Sequence, residues 1–207
     1  MRWRKFSIST LLLATAGLAL LALPTSWIIS NARLSRERSA NASLVHDVIE
    51  SVGGGGKSFV MVHDGPRVYV EYGFNLHSVT DQTIPELRRL NHLHVEHLNL
   101  EDQPITDAGL SAIAEFKHLR TLDVSGTDIS DSSMSVICKL VSLNKLDVSN
   151  TNISDANLQD LQELESLTFL YTGKKRVTEN GISELRSNCP SLIIKTNVEM
   201  SGWGLEE

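Results

Sequence analysis

A glycine run followed by lysine and serine is the first segment whose residue types could do chemistry. Residues 53–58 read Gly-Gly-Gly-Gly-Lys-Ser, and the backbone amides and lysine of such a loop can bind nucleotide phosphates. A phosphate-binding loop follows a strand and opens a helix, whereas here a helix is expected before the glycines and a strand after them. The first glycine of that motif would also fall on Ser51. We interpret the run as a hinge, and a nucleotide-dependent switch or enzyme acting through Gly53–Ser58 is the alternative.

Three histidines form a second cluster of residues with possible chemistry. His92, His94 and His97 lie near Glu96, and imidazoles at such spacing can bind zinc. We favour the simpler interpretation, in which they form the polar outer face of a lengthened structural unit. No Ser, His and Asp residues occur in an arrangement that indicates nucleophilic catalysis. We therefore expect no enzyme, no catalytic residue, no metal and no cofactor.

The N-terminal part of the chain is apolar and flanked by basic residues. No charged residue occurs between Lys5 and Arg33, and the segment Ile8–Ile29 is long enough to cross a bilayer core of about 30 Å as a helix. The apolar run exceeds the length that is usual in a cleaved signal peptide. An uncleaved transmembrane anchor is therefore favoured over a removable signal. The flanking Lys and Arg residues are balanced at three on each side, so charge alone does not set the orientation.

The charge of the chain is unevenly distributed. Residues 1–38 hold six Lys and Arg residues against one Glu, so they carry +5, and the total of −6 leaves −11 for residues 39–207. A surface that binds nucleic acid is usually basic. The acidic part of the chain argues against nucleic acid as a partner.

A repeat of 24 residues is the strongest pattern in the sequence. The segments that begin at Leu98, Leu122 and Leu146 superpose at this spacing, a fourth begins at Leu170, and an imperfect earlier copy runs from Val79 to Leu93. Within each copy, alternating apolar residues predict a short strand, and apolar residues at spacings of three predict a helical segment. One repeat cannot bury its apolar face alone, so about five stacked repeats predict an α/β solenoid.

The pattern resembles that of the leucine-rich-repeat family, and within it the cysteine-containing subtype. Leu119-x-x-Leu122-x-Val124-x-x-Thr127-x-Ile129-Ser130-Asp131 and the matching run from Leu143 to Asp155 carry the resemblance, and Asn188–Leu192 resembles the subtype's cysteine position. The family implies parallel strands on a concave face, helices on the convex face and the binding of other proteins. The opening Arg4–Leu13 resembles that of small bacterial leucine-rich-repeat proteins with a signal-anchor. That resemblance implies a single-pass membrane protein with extracytoplasmic repeats.

The strand residues that point away from the core are the expected partner-binding surface. In a solenoid such residues form an array on the concave face. The array has an acidic middle, which favours a basic partner, and an aromatic end. Its alternative interpretation is that Asp123 and Asp147, with Ser125 and Ser149, only make turn-to-turn hydrogen bonds. Beside His97, the candidate residues are Asn99, Glu101, Thr121, Asp123, Ser125, Lys145, Asp147, Ser149, Phe169 and Tyr171.

The expected organisation divides the chain into five parts. They are a cytoplasmic stub and transmembrane segment (1–30), a juxtamembrane helix (31–52), a glycine hinge with a capping β-hairpin (53–78), the leucine-rich repeats (79–195) and a C-terminal cap or tail (196–207). The hairpin strands are expected at Phe59–Val62 and Arg67–Tyr72, on either side of Asp64-Gly65-Pro66.

The expected function is that of a membrane-anchored protein-protein interaction scaffold, with a purely structural envelope protein as a further alternative. Cys138 and Cys189 are expected to be free thiols, because stacking places their repeats roughly 10 Å apart and a disulfide needs Cα atoms within about 7 Å. Cys189 is expected in the core.

Overall fold

A single sheet of seven strands aligns the repeats at the spacing that the sequence predicts. The structure, a computed structural model, describes residues 36, 40–52, 57–63, 69–173 and 176–196, with the backbone alone for 57–63 and 69–75. In the sheet, Leu98, Leu122, Leu146, Leu170 and Ile194 are direct partners on successive parallel strands. Each step equals 24 residues, so the repeat in the sequence is the repeat of the sheet.

The strands follow one another in chain order. They are β1 (Lys57–His63), β2 (Tyr69–Asn75), β3 (Val95–Asn99), β4 (Thr121–Asp123), β5 (Lys145–Asp147), β6 (Phe169–Thr172) and β7 (Ile193–Thr196). β1 and β2 pair antiparallel, whereas β2 pairs with β3, and each later strand with the next, in parallel. The hairpin therefore adds two strands to the sheet beside the first repeat.

Short helical segments connect the strands. The α-helices are α1 (Asp107–Leu110), α2 (Met134–Ile137), α3 (Asp155–Leu158) and α4 (Glu179–Asn188), and the 3-10 helices span Ile84–Leu90, Ser111–Ile113, Asp131–Ser133 and Gln159–Glu163. The recurring apolar residues of the sequence are buried between helical segments and strands. In one repeat Ile105, Leu110, Ile113, Leu119, Leu122 and Val124 have no exposed area, and Phe116 is 3% exposed.

The chain divides into two compact units, Met1–Leu44 and Val45–Glu207. In the first unit, residues 40–44 are helical. In the second unit, residues 45–51 are helical, and Val45, Val48, Ile49 and Val52 are buried at the spacing of one helix face. The expected transmembrane segment Ile8–Ile29 lies outside the described residues. Within the part of the chain that the structure does describe, no helix has the length and apolar character needed to span a bilayer.

A chain of hydrogen bonds links each repeat to the next at the start of the helical segments. Asp107 accepts bonds from the backbone N–H and the hydroxyl of Ser130, at 2.7 and 2.6 Å. The Ser130 hydroxyl in turn accepts from the N–H of Ser132 and caps the next helical segment. The same arrangement joins Asp81 to Thr106, Asp131 to Ser154 and Asp155 to Thr178. The Ser/Thr-Asp dipeptides are thus structural connections between repeats.

Candidate interaction surface

The outward positions of the parallel strands form two rows along the sheet. Pairing aligns His97, Thr121, Lys145, Phe169 and Ile193 in one row, and Asn99, Asp123, Asp147, Tyr171 and Lys195 in the other. Successive side chains of a strand point to opposite sides of the sheet, so both rows lie opposite the leucine row. We call these ten positions the strand face.

The middle of the strand face is buried. Thr121, Asp123 and Asp147 are 7%, 2% and 0% exposed, and Ser125 and Ser149 just beyond the strands are buried too. These short side chains belong to interior strands, whose neighbours lie only about 4.8 Å away on each side. With Tyr171, which is also buried, six of the ten candidate residues therefore offer a partner almost no surface. Asn99 is half-buried and Glu101 is exposed.

Asp123 and Asp147 make hydrogen bonds within their own turns. Asp123 Oδ1 accepts from the N–H and hydroxyl of Ser125, at 2.9 and 2.6 Å, and Asp147 Oδ1 accepts from the Ser149 N–H at 2.8 Å. Asn99 Oδ1 accepts from the Glu101 N–H in the same way. Asp and Asn commonly close turns with such bonds. These particular bonds lie within turns, whereas the alternative interpretation of the sequence expected bonds from turn to turn.

Burial also changes the ionisation of Asp123. Desolvation raises its pKa to about 6, and the nearby carboxylates of Asp147 and Glu101 add to the rise, although hydrogen bonds from Ser125 oppose it. An acid with a raised pKa in the folded state is destabilising when it is ionised. Asp123 is therefore a buried carboxyl whose ionisation costs folding free energy.

The C-terminal end of the strand face is partly exposed and combines cations with aromatic rings. Lys145 Nζ lies 5.5 Å from the centroid of the Phe169 ring, and Lys195 Nζ lies 5.8 Å from Phe169 and 5.3 Å from Tyr171. Phe169 and Lys145 are half-buried, Lys195 is exposed, and Ile193 beside Phe169 is 46% exposed. Tyr171 is 9% exposed. We call these five residues the cation–aromatic patch.

Two members of this patch, Ile193 and Lys195, were not among the sequence candidates. An inserted residue before Cys189 obscures the fourth repeat, but the insertion is absorbed before β7, so Phe169 still pairs with Ile193 and Tyr171 with Lys195. The sequence signal for both residues is the 24-residue period, because Ile193 and Lys195 lie one period after Phe169 and Tyr171.

The nucleotide-binding alternative has the wrong local structure. The glycines at 53–56 lie outside the described residues, but Lys57 begins β1 and the helical residues 45–51 precede the glycines. This is the reverse of the strand-loop-helix order in which a helix N-terminus binds phosphate.

The histidines do not converge as three ligands. His94 stacks on His118 of the next repeat, with ring centroids 3.9 Å apart and an angle of 11° between the planes. Among the described residues, no group of three or more His, Cys, Asp or Glu side chains is placed to hold a metal ion.

The two cysteines are free and both half-buried. The prediction that Cys189 belongs to the core is wrong. Cys189 follows α4 in the last repeat that the structure describes, beside the end strand β7. In the inner repeats the equivalent place is filled by Phe116, Leu140 and Leu164, which are buried. Burial raises the pKa of the Cys138 thiol to about 11, and Glu163 and Asp160 contribute.

Comparison with known proteins gives matches to repeats of this kind. A family model described as Leucine Rich repeat matches residues 91–114 and 117–138. A search of curated protein sequences found no match.

Two bacterial proteins are among the solved structures that match this chain. One is an internalin of Listeria monocytogenes (22% identity, TM-score 0.44), in which the alignment covers 56% of this chain and 31% of the other. Another is a leucine-rich-repeat protein of Leptospira interrogans (17% identity, TM-score 0.42), with 54% and 33% covered. The match thus spans about a third of the length of each of these structures. The two matched segments lie in the parallel sheet that repeats every 24 residues, so this part of the chain is similar to leucine-rich repeats.

Proposed function

We propose that this chain is a membrane-anchored scaffold for protein-protein interaction, whose partner binds the cation–aromatic patch. The observation that supports the proposal most directly is the stacking of Lys145 and Lys195 on the rings of Phe169 and Tyr171. Leucine-rich-repeat domains generally serve as binding scaffolds, and this role requires no catalytic group.

The chemistry of the patch favours a partner with carboxylates and an apolar side chain. Aromatic residues in pockets that are shielded from water dominate binding at protein interfaces. The exposed charge at this end of the strand face is positive, because Lys195 is exposed while Asp123 and Asp147 are buried. The basic partner that the sequence suggested is therefore replaced, in this proposal, by an acidic one.

A capture experiment with detergent-solubilised full chain tests the binding role. The test variant, Ile193→Ala/Lys195→Glu, removes one exposed apolar side chain and reverses one exposed lysine of the patch. Its matched control, Val141→Ala/Lys139→Glu, does the same outside the strand face, where Val141 is 61% exposed and Lys139 is exposed. Loss of a partner with the test variant alone would support the proposal, whereas equal capture by both variants and the unaltered chain would contradict it.

The membrane anchor is proposed from Ile8–Ile29 and the basic residues on both sides of it. Arg33, Arg36 and Arg38 would lie near anionic headgroups, with the repeats on the extracytoplasmic side. Alkaline carbonate extraction of membranes tests this part separately. The full chain should stay in the pellet, and a variant that lacks residues 8–29 should be released. Release of the full chain would contradict the anchor.

A further inference from the structure

Two histidines of consecutive repeats form an exposed pair just before β3 and β4. His94 and His118 are 24 residues apart, and their rings stack with centroids 3.9 Å apart and 11° between the planes. We propose that this pair binds a divalent transition-metal ion, with one nitrogen of each imidazole as a ligand and the other coordination positions open to water. The sequence pattern indicated His92, His94 and His97 as the possible cluster, whereas the structure places His94 against a histidine of the following repeat.

The backbone holds the two histidines at a fixed separation. His94 lies between the buried residues Leu93 and Val95, and His118 directly precedes the buried Leu119. The strands that follow them, β3 and β4, pair in parallel at the repeat spacing, and paired strands lie about 4.8 Å apart. A metal site needs ligands on a rigid support, and the stacked repeats supply one.

A second contact keeps the same two loops in register. Asn91 Nδ2 donates to Glu115 Oε2 at 2.7 Å, and these residues lie three positions before His94 and His118. Glu115 and the exposed Lys117 carry opposite charges close to His118 in the chain. The charge of these loops therefore does not oppose the binding of a cation.

Both imidazoles can turn towards an ion. The two side chains are exposed, and within the described part of the chain neither ring forms a hydrogen bond. Parallel planes cannot both contain one ion, so the rings must rotate out of the stack, which exposed side chains do within nanoseconds. Two nitrogens that share an ion lie roughly 3 Å apart, because each metal–nitrogen bond is about 2.0–2.1 Å long. The rings are already at a similar separation, so they need to turn rather than to travel.

The ligand type selects the class of metal. Imidazole nitrogens suit zinc, copper and nickel, whereas calcium and magnesium prefer oxygen ligands. The usual order of affinities among divalent ions makes Cu²⁺ the ion that we expect to bind most tightly. Ni²⁺ is the better first probe, because Cu²⁺ oxidises thiols and Cys138 and Cys189 are free.

Titration calorimetry with NiCl₂ on the untagged full chain in detergent tests the site. We expect one ion per chain. His94→Ala and His118→Ala should each weaken binding by more than about tenfold, since the loss of even an outer-shell partner commonly costs that much. His92→Ala is the matched control, because His92 is also exposed and lies two residues from His94, and it should leave the affinity unchanged.

A spectroscopic measurement identifies the ligands directly. In a Cys138→Ser/Cys189→Ser background, electron paramagnetic resonance with one equivalent of Cu²⁺ should show coupling to two imidazole nitrogens, and to one after either alanine substitution of the pair. Urea midpoints should agree for all three histidine variants, because the three side chains are exposed.

Three results would overturn the proposal. They are a lack of Ni²⁺ binding by the unaltered chain, unchanged affinity in the His94→Ala or the His118→Ala variant, and an equal loss of affinity in the His92→Ala control. The experiment involves no protein partner, and the pair lies outside the strand face. Failure of this site would therefore leave the proposed function intact, and the reverse also holds.

Discussion

The carboxylate of Asp131 accepts two hydrogen bonds from Ser154, which lies one repeat further along the chain. The bonds come from the backbone N–H at 2.8 Å and from the hydroxyl at 2.7 Å. The same hydroxyl accepts from the Ala156 N–H and caps α3. One carboxylate thus fixes the position of the next helical segment, which explains why Asp follows Ser or Thr in successive repeats.

Replacing this carboxylate should destabilise the solenoid. Asp131→Ala leaves the N–H of Ser154 without its acceptor, and hydrogen bonds to charged groups contribute about 1.5–3 kcal/mol each, so we expect the free energy of unfolding to fall by about 2–4 kcal/mol. Urea denaturation followed by circular dichroism measures it. Asp128→Ala is the control, because Asp128 is exposed and lies three residues away. Equal midpoints for the two variants would contradict a linking role for Asp131.

A second prediction concerns the close approach of Gly181 to the same kind of carboxylate. A Cβ at Gly181 would clash with the carboxylate of Asp155, and Asp155 is held by two bonds from Thr178. Gly181→Ala must displace that carboxylate, so we expect a loss of about 1–3 kcal/mol, as for a broken charged hydrogen bond. Ser183→Ala, at an exposed position of α4, is the control. If Gly181→Ala unfolds at the same urea concentration as this control, Asp155 can move at no cost.

A third prediction concerns the reactivity of Cys138. Its pKa is raised to about 11 by burial, with Glu163 and Asp160 contributing, and only the thiolate is nucleophilic. In a Cys189→Ser variant, alkylation of the native protein should be slow at pH 8 and should become about tenfold faster per pH unit up to pH 10. A rate that levels off near pH 9 would contradict the raised pKa. Under denaturing, non-reducing conditions the unaltered chain should show both thiols.

The sequence predicted the repeat architecture well because a regular spacing of apolar residues can be read directly along the chain. The 24-residue spacing of Leu98, Leu122 and Leu146 requires that stacked strands align, and the pairing of these residues confirms it. The helical segments of the inner repeats are shorter than ordinary helices and partly of the 3-10 type, whereas α4 has ten residues. Apolar spacing alone does not distinguish these forms, since both bury the same residues.

The candidate surface was less predictable, because the alternation of side chains along a strand indicates on which side of the sheet a residue lies but not how exposed its side chain is. Asp123 and Asp147 do point away from the leucine row, as alternation requires. Their burial depends on the size of their neighbours and on turns that satisfy their carboxylates. Alternation therefore places these acidic residues on the outer side of the sheet but does not predict how much of each side chain is exposed.

The last prediction follows from the ionisation of Asp123. Burial, with Asp147 and Glu101, raises its folded-state pKa to about 6 from an ordinary value of 3.8. Between these values the folded chain binds more protons than the unfolded chain, so this residue's contribution to stability falls as pH rises from about 4 to 6 and is constant above that. One pKa unit corresponds to about 1.4 kcal/mol. The contribution lost is therefore on the order of 2–3 kcal/mol.

Asp123→Asn should remove this dependence and keep the turn. Asn99, the partner of Asp123 on the neighbouring strand, closes its turn through an amide oxygen, so an asparagine can accept the same backbone bond from Ser125. At pH 8 the variant should be more stable than the unaltered chain by about 1–3 kcal/mol, and the difference should shrink towards zero near pH 4, since the native carboxyl is then protonated. Urea midpoints at pH 4.5 and pH 8 measure both differences, with the exposed Asp128→Asn as control. A variant that is less stable than the unaltered chain at pH 8 would mean that the charge of Asp123 is favourable where it lies.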